Sequence, residues 1–176
     1  MRAYYHDHIE PDQHEAHDTG VDISAEQLLE LGVVCKRIEG TTAERMAAVD
    51  ELYKERKCQG RDQVTVSPAQ EDYATQVKAF TREHLHEDEE IRFLVGGAGF
   101  FDIRDKEDRW VRMAVEEGDL LIVPAGIYHR FSLTPLWHME IVRLFSDMPK
   151  WEAQYRPEAD SSECRLAYLR SIGSAV

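Results

Sequence analysis

Two histidines set two apart, with a carboxylate four residues after the second, carry the first chemistry in this chain: His84-Leu85-His86-Glu87-Asp88-Glu89-Glu90-Ile91-Arg92. Imidazole nitrogens and carboxylate oxygens are ligand types for divalent transition metals. In an extended segment, alternate residues face the same side. His84, His86, Glu90 and Arg92 then share one parity, so three candidate ligands and one cation face one cavity, while Glu89 points away. A turn within residues 87–89 would break strict alternation, so parity supports the choice of Glu90 without proving it.

A second stretch supplies what the first lacks. Gly118-Asp119-Leu120-Leu121-Ile122-Val123-Pro124-Ala125-Gly126-Ile127-Tyr128-His129 is an apolar strand, a Pro-x-Gly turn and a histidine on the returning strand. His129 completes a set of three imidazoles and one carboxylate. Such a set suits Fe(II), Ni(II), Co(II), Mn(II) or Zn(II). A six-coordinate metal would keep two adjacent positions open for a bidentate substrate, whereas four-coordinate zinc would be closed. Phe131 shares the parity of His129, and Phe80 lies just before the first histidine. Either ring can line a pocket or simply fill the core. Arg92 can balance the charge of an anionic ligand, or make an ordinary ion pair with Asp88 or Glu89.

The elements that must position these residues fall into two zones. Ser24-Ala25-Glu26-Gln27 and Thr41-Thr42-Ala43-Glu44 are capping boxes, each starting a helix. The second helix places Met46, Val49, Leu52 and Tyr53 on one stripe. Val33–Ile38 and Val64–Val66 are β-prone, and a third helix is expected from about Gln70 to Arg82. After His84 the pattern becomes one of short strands: 91–95, 99–104, 109–115, 119–123, 129–133 and 138–145, parted by turn residues. No helix separates them, which argues for an antiparallel barrel or sandwich and against a parallel α/β sheet. Gly96-Gly97-Ala98-Gly99 lacks the following helix and the Lys-Ser/Thr of a phosphate cradle and reads as a sharp turn between strands. No G-x-S-x-G elbow is present for a serine nucleophile.

The totals narrow the field. The chain has 176 residues, 43% of them hydrophobic, enough for a single well-packed domain. A net charge of −13 disfavours nucleic-acid backbones and anionic membrane surfaces. No apolar run is long enough for a membrane span or a secretory signal. The cysteines, Cys35, Cys58 and Cys164, are far apart and odd in number, which fits reduced thiols in the cytoplasm. Residues 1–20 hold His6, His8, His14 and His17 among Asp, Glu and Pro. A short Ala3-Tyr4-Tyr5 strand candidate opens this region; beyond that, without an apolar frame, it reads as a solvated lead-in rather than a metal site. Residues 21–160 then form the domain, and residues 161–176 a tail. Trp151, Tyr155 and Tyr168 help that C-terminal part wrap back over the barrel, with 171–176 frayed.

Both histidine stretches resemble the two signature motifs of the cupin superfamily, which implies a mainly β, jelly-roll barrel with several helices in the N-terminal half. One departure is visible: the superfamily's first motif usually begins with glycine six residues before the first histidine, where Lys78 stands. More narrowly, Glu83-His84-Leu85-His86, Glu90-Ile91-Arg92, Gly99-Phe100-Phe101-Asp102-Ile103-Arg104-Asp105, Pro124–Phe131 and Trp151–Pro157 look like the acireductone dioxygenase family, closest to its eukaryotic members. The resemblance covers most of residues 21–160. It implies His84, His86, Glu90 and His129 as ligands of one Fe(II) or Ni(II) per monomer. It also implies an acireductone and O2 as small-molecule partners, no nucleic acid, no membrane insertion, and a place in methionine salvage in the cytoplasm, with the nucleus open if the source is eukaryotic. Arg92 would face the substrate's charge, and Phe80 and Phe131 would shield the pocket. Two other readings stay open: another metal-dependent cupin enzyme, or a cupin acting mainly as a binding protein.

Overall fold

The computed structural model describes residues 1–9, 12–146 and 152–174. Trp151, one of the expected tail anchors, lies outside the described residues. Nine strands run β1 (Arg2–His6), β2 (Asp18–Asp22), β3 (Val34–Arg37), β4 (Gly60–Val66), β5 (Glu90–Arg104), β6 (Trp110–Glu116), β7 (Asp119–Val123), β8 (His129–Leu133) and β9 (Met139–Phe145). Four α-helices accompany them: α1 (Ala25–Glu30), α2 (Thr42–Glu55), α3 (Tyr73–Thr81) and α4 (Glu163–Ser171). Both capping boxes form, with Ser24 and Thr41 each accepting the N3 amide while Gln27 and Glu44 reach back. Among the described residues no helix is long and apolar enough to cross a membrane.

One strand organises the sheet. The N-terminal half of β5 lies between β7 and β9, and its C-terminal half lies between β6 and β8, all antiparallel. β3 extends the first group beyond β7, β4 pairs with β9, and β1 and β2 extend the second group beyond β6. The change of partners falls at the glycines. The register with β9 slips between Leu94 and Gly96, and Gly97 has φ +78° with its Cα so close to β9 that a Cβ would sit 2.1 Å from the His138 carbonyl oxygen. The expected sharp turn between two strands is therefore a bulge inside one 15-residue strand. Glycine tolerates the left-handed geometry and the close approach, and the strand bends without breaking.

Alternation along these strands separates two cores. Ile91, Phe93, Leu120, Ile122, Val142 and Leu144 face outward and pack with Val49 of α2, with Met46, Leu52 and Tyr53 flanking. The intervening residues face the interior, where Leu94, Phe101, Ile103, Met113, Leu121 and Phe131 belong to the main core. Glu90 and Arg92 have this inward parity, so burying 91 and 93 under α2 is what turns them into the barrel.

The Ala3-Tyr4-Tyr5 strand candidate is β1, and β2 begins within the stretch expected to be a solvated lead-in, so both ends of that stretch join the sheet. β1 pairs with β6, Ala3, Tyr4 and His6 are buried, and the following loop is fastened to Arg112, which donates to the Glu15 carbonyl. Arg112 itself makes a bidentate pair with buried Asp102 at 2.7 and 2.8 Å, shared with Arg130 at 2.8 Å. That anchor comes from β5, β6 and β8, distant in sequence, so local polarity gave no sign of it. At the other end α4 returns to the barrel: Tyr168 is buried and donates to the Leu31 carbonyl at 3.1 Å, and Ile172 is buried rather than frayed.

Candidate metal centre

The three expected histidines meet at one point. His84 and His129 form a small antiparallel bridge, His84 N–H to the His129 carbonyl at 3.0 Å and the reverse at 2.9 Å. The bridge sets their rings side by side, centroids 4.5 Å apart, and His86 follows two residues on at 4.9 Å from His84. Leu85, of opposite parity, is sealed beneath with Tyr128 and Ala159. The Pro124-Ala125-Gly126 turn is held by Gly126 N–H to the His86 carbonyl at 2.9 Å, and its φ of +78° makes glycine the fitting residue.

Each ring has its outer nitrogen against a backbone carbonyl. Nδ1 lies 2.6 Å from the Arg82 oxygen in His84, 3.3 Å from the Glu152 oxygen in His86 and 3.0 Å from the Ile127 oxygen in His129. A carbonyl accepts, so Nδ1 carries the proton and Nε2 presents its lone pair. One ligand atom from each of the three lies within 4.8 Å of the others. Burial disfavours charge on two of these rings: it lowers the pKa of His84 and pushes that of His129 down to about 3. Both are neutral bases at physiological pH, the form a metal binds.

Glu90 closes the cluster. Its carboxylate oxygens lie 3.2 Å from His86 Nε2 and 3.7 Å from His129 Nε2. Two acceptors at such distances repel unless positive charge lies between them. His129 Nε2 is moreover buried without any hydrogen-bond partner, and an orphan lone pair in a dry site is costly. Ligand bonds of about 2.0–2.1 Å place neighbouring donors roughly 3.0–3.4 Å apart; the His86 separation falls within that range and the His129 separation a little above it. The residues therefore fit a divalent transition metal.

Arg92 does something the sequence left undecided between two partners. Its Nη2 donates to Glu90 at 2.6 Å, the ligand-face carboxylate itself, while Glu89 is occupied outside by Arg56 at 2.9 Å. Burial is the largest single influence and opposes ionisation of Glu90, but the Arg92 guanidinium and the three facing imidazoles together outweigh it and hold the carboxyl down at about 2. The Arg92 side chain is only 12% exposed.

The cluster lines a cavity of about 280 Å³. Phe80 and Phe131 line it, edge to face with centroids 6.3 Å apart. Lys78, at the position of the usual motif glycine, sits within α3, so a helix rather than a turn leads to Phe80. Among the lining groups that escaped the sequence reading are Val64, Met139, Ile141 and Arg143. All obey alternation on a paired strand, with Val64 opposite Ile141 and Asp62 opposite Arg143. The parity of β9 carried the signal, but nothing local said which of its faces was inner. Arg143 is itself bound to Asp62 at 2.6 and 2.8 Å.

A curled antiparallel barrel with a histidine cluster and one carboxylate inside it defines a cupin. The acireductone dioxygenase of Bacillus anthracis, solved with a cadmium ion in its active centre, shares this fold at TM-score 0.71, with 22% identity over 88% of this chain and 97% of that one. The model of the ARD/ARD' family matches residues 2–153, and the chain belongs to that family. Among its relatives, the acireductone dioxygenase of Yarrowia lipolytica is 44% identical over 99% of this chain and 100% of its own. That of Emericella nidulans is 45% identical over 98% and 96%.

Proposed function

We propose that the chain is an acireductone dioxygenase of methionine salvage, with His84, His86, Glu90 and His129 holding one Fe(II) or Ni(II). The observation that carries this reading is the convergence of three carbonyl-oriented imidazoles and an Arg-paired carboxylate in the wall of one largely apolar cavity. The substrate is 1,2-dihydroxy-5-(methylthio)pent-1-en-3-one, an electron-rich ene-diol with a thioether tail. The iron form gives 4-methylthio-2-oxobutanoate and formate; the nickel form gives methylthiopropionate, formate and carbon monoxide.

When bound, the metal supplies Lewis acidity and a template for a bidentate oxygen ligand. The chain's own residues do the rest. The Nδ1 contacts of the three histidines fix which nitrogen is offered. Arg92 keeps Glu90 ionised and brings a positive guanidinium into the wall beside an anionic ene-diolate. Val64, Met139 and Ile141 offer apolar and thioether surface to the methylthio tail. Phe80 and Phe131 keep water from the reacting carbons. The net charge of −13 weighs against nucleic-acid partners and is in keeping with a monomer.

Paired carboxylate variants test the assignment. Glu90→Ala removes both bound metal and acireductone turnover, whereas Glu89→Ala, which loses only the outer pair with Arg56, keeps both. The opposite pattern would transfer the ligand role to Glu89.

A further inference from the structure

The turn between β7 and β8 touches two of the candidate ligands, and what fixes it comes from the far end of the chain. Gly126 donates its N–H to the His86 carbonyl at 2.9 Å. Ile127, the next residue, offers the carbonyl that lies 3.0 Å from His129 Nδ1. A shift of this turn would move the backbone of one imidazole and swing the ring of the other.

α4 is seated on the turn. A Cβ on Gly126 would meet the Cys164 carbonyl oxygen at 2.4 Å, so the helix backbone and the turn backbone approach closely. From the next position of the helix, Arg165 Nη1 donates to the Gly126 carbonyl at 3.1 Å. Both polar backbone groups of Gly126 are then occupied, one by a ligand residue and one by α4.

The setting of Arg165 is an odd one for a cation. The residue is buried, with its guanidinium 4.7 Å from the centre of the Tyr128 ring and 5.5 Å from that of Tyr168. Among the described residues no carboxylate forms an ion pair with it. Burying a charge without an opposite one is costly, and an apolar side chain of similar length would also pack against the two tyrosines. Docking of the helix has its own anchor in the Tyr168 hydroxyl, which donates to the Leu31 carbonyl. What the guanidinium adds is the bond to the turn.

We propose that Arg165 is a positioning residue for the metal centre. It pins the turn of residues 124–127 and, through the Gly126 N–H and the Ile127 carbonyl, sets where His86 and His129 aim Nε2. The inference rests on those two histidines being ligands. Arg165 itself touches neither metal nor substrate; α4 becomes the outer support of the site.

The test uses the full chain loaded with nickel, counted by elemental analysis, as wild type, Arg165→Met, Arg165→Lys and Tyr168→Phe. Two quantities are read: nickel release to excess chelator, and deuterium exchange of the amides across residues 124–129. Arg165→Met should release nickel about tenfold faster, the lower end of the effect of losing an outer support of a ligand, and lose protection at Gly126. Arg165→Lys, which keeps a cationic donor, should recover most of both. Tyr168→Phe weakens the same helix at its other anchor, so its urea midpoint should fall while nickel release and exchange stay at wild-type values. Wild-type release by Arg165→Met, in protein that holds one nickel, would overturn the inference and leave the ligand assignment standing. So would faster release in both Arg165→Met and Tyr168→Phe in step with their urea midpoints, which is the mark of plain helix docking. Wild type that holds no nickel would sink the ligand assignment and the inference together.

Discussion

Replacing Arg92 by methionine tests how the centre keeps its carboxylate. Arg92 Nη2 is 2.6 Å from Glu90 Oε1, and both residues face the interior. At that distance, with an effective dielectric of about 20, opposite unit charges attract by roughly 6 kcal/mol. Removing one member of a buried pair typically costs about 3–5 kcal/mol, because the other is left charged and uncompensated. Total stability of a domain is about 5–15 kcal/mol, so the loss is large enough to measure without certain unfolding. The assay is urea denaturation of metal-free wild type, Arg92→Met, Glu90→Gln and the double variant, which isolates the coupling. Arg92→Met should lose about 3–5 kcal/mol, and adding Glu90→Gln should recover much of it. The sign for metal binding follows. Without the guanidinium, burial raises the Glu90 carboxyl, so the variant should release nickel at a higher pH than wild type. A single variant within about 0.5 kcal/mol of wild type, together with additive effects, would refute the pairing.

Acidification of the metal-free protein provides a second check. Burial lowers His6 to about 4 and His129 to about 3, against an ordinary value of 6.5. The unfolded chain binds protons first as pH falls, so stability is full above 6.5 and drains away toward those lower values. From pH 7.5 to 5.5 each ring should cost about 1.4 kcal/mol; a flat urea midpoint over that range would mean the rings are not held neutral. Gly99→Ala probes the pocket wall, since a Cβ there meets Phe131 Cζ at 2.3 Å and the Ser132 carbonyl at 2.9 Å. A loss of about 1–3 kcal/mol with altered substrate KM is expected, and unchanged stability and KM would show that Phe131 is free to move.

The four proposed ligands were legible because metal chemistry demands particular residue types, and strand alternation leaves few ways to aim them. Parity separated Glu90 from Glu89 correctly, as the outer pair with Arg56 shows. What stayed hidden needed long-range information. The bulge at Gly96 and Gly97 is set by the approach of β9, so glycines that read as a turn mark the bend of one continuous strand. The orienting carbonyls of Arg82, Ile127 and Glu152 are backbone groups and leave no trace in residue type. His6 looked solvated because its neighbours in sequence are polar. Its burial comes from the pairing of β1 with β6 and from the neighbouring Asp102, Arg112 and Arg130 cluster.

Oxygen uptake on mixing the Fe(II)-reconstituted protein with the acireductone, with products identified and the nickel form run alongside, bears most directly on the central claim. The account predicts rapid oxygen consumption, 4-methylthio-2-oxobutanoate and formate from the iron form, and methylthiopropionate with carbon monoxide from the nickel form. No turnover by either form, in protein shown to hold one metal in the barrel, would contradict it.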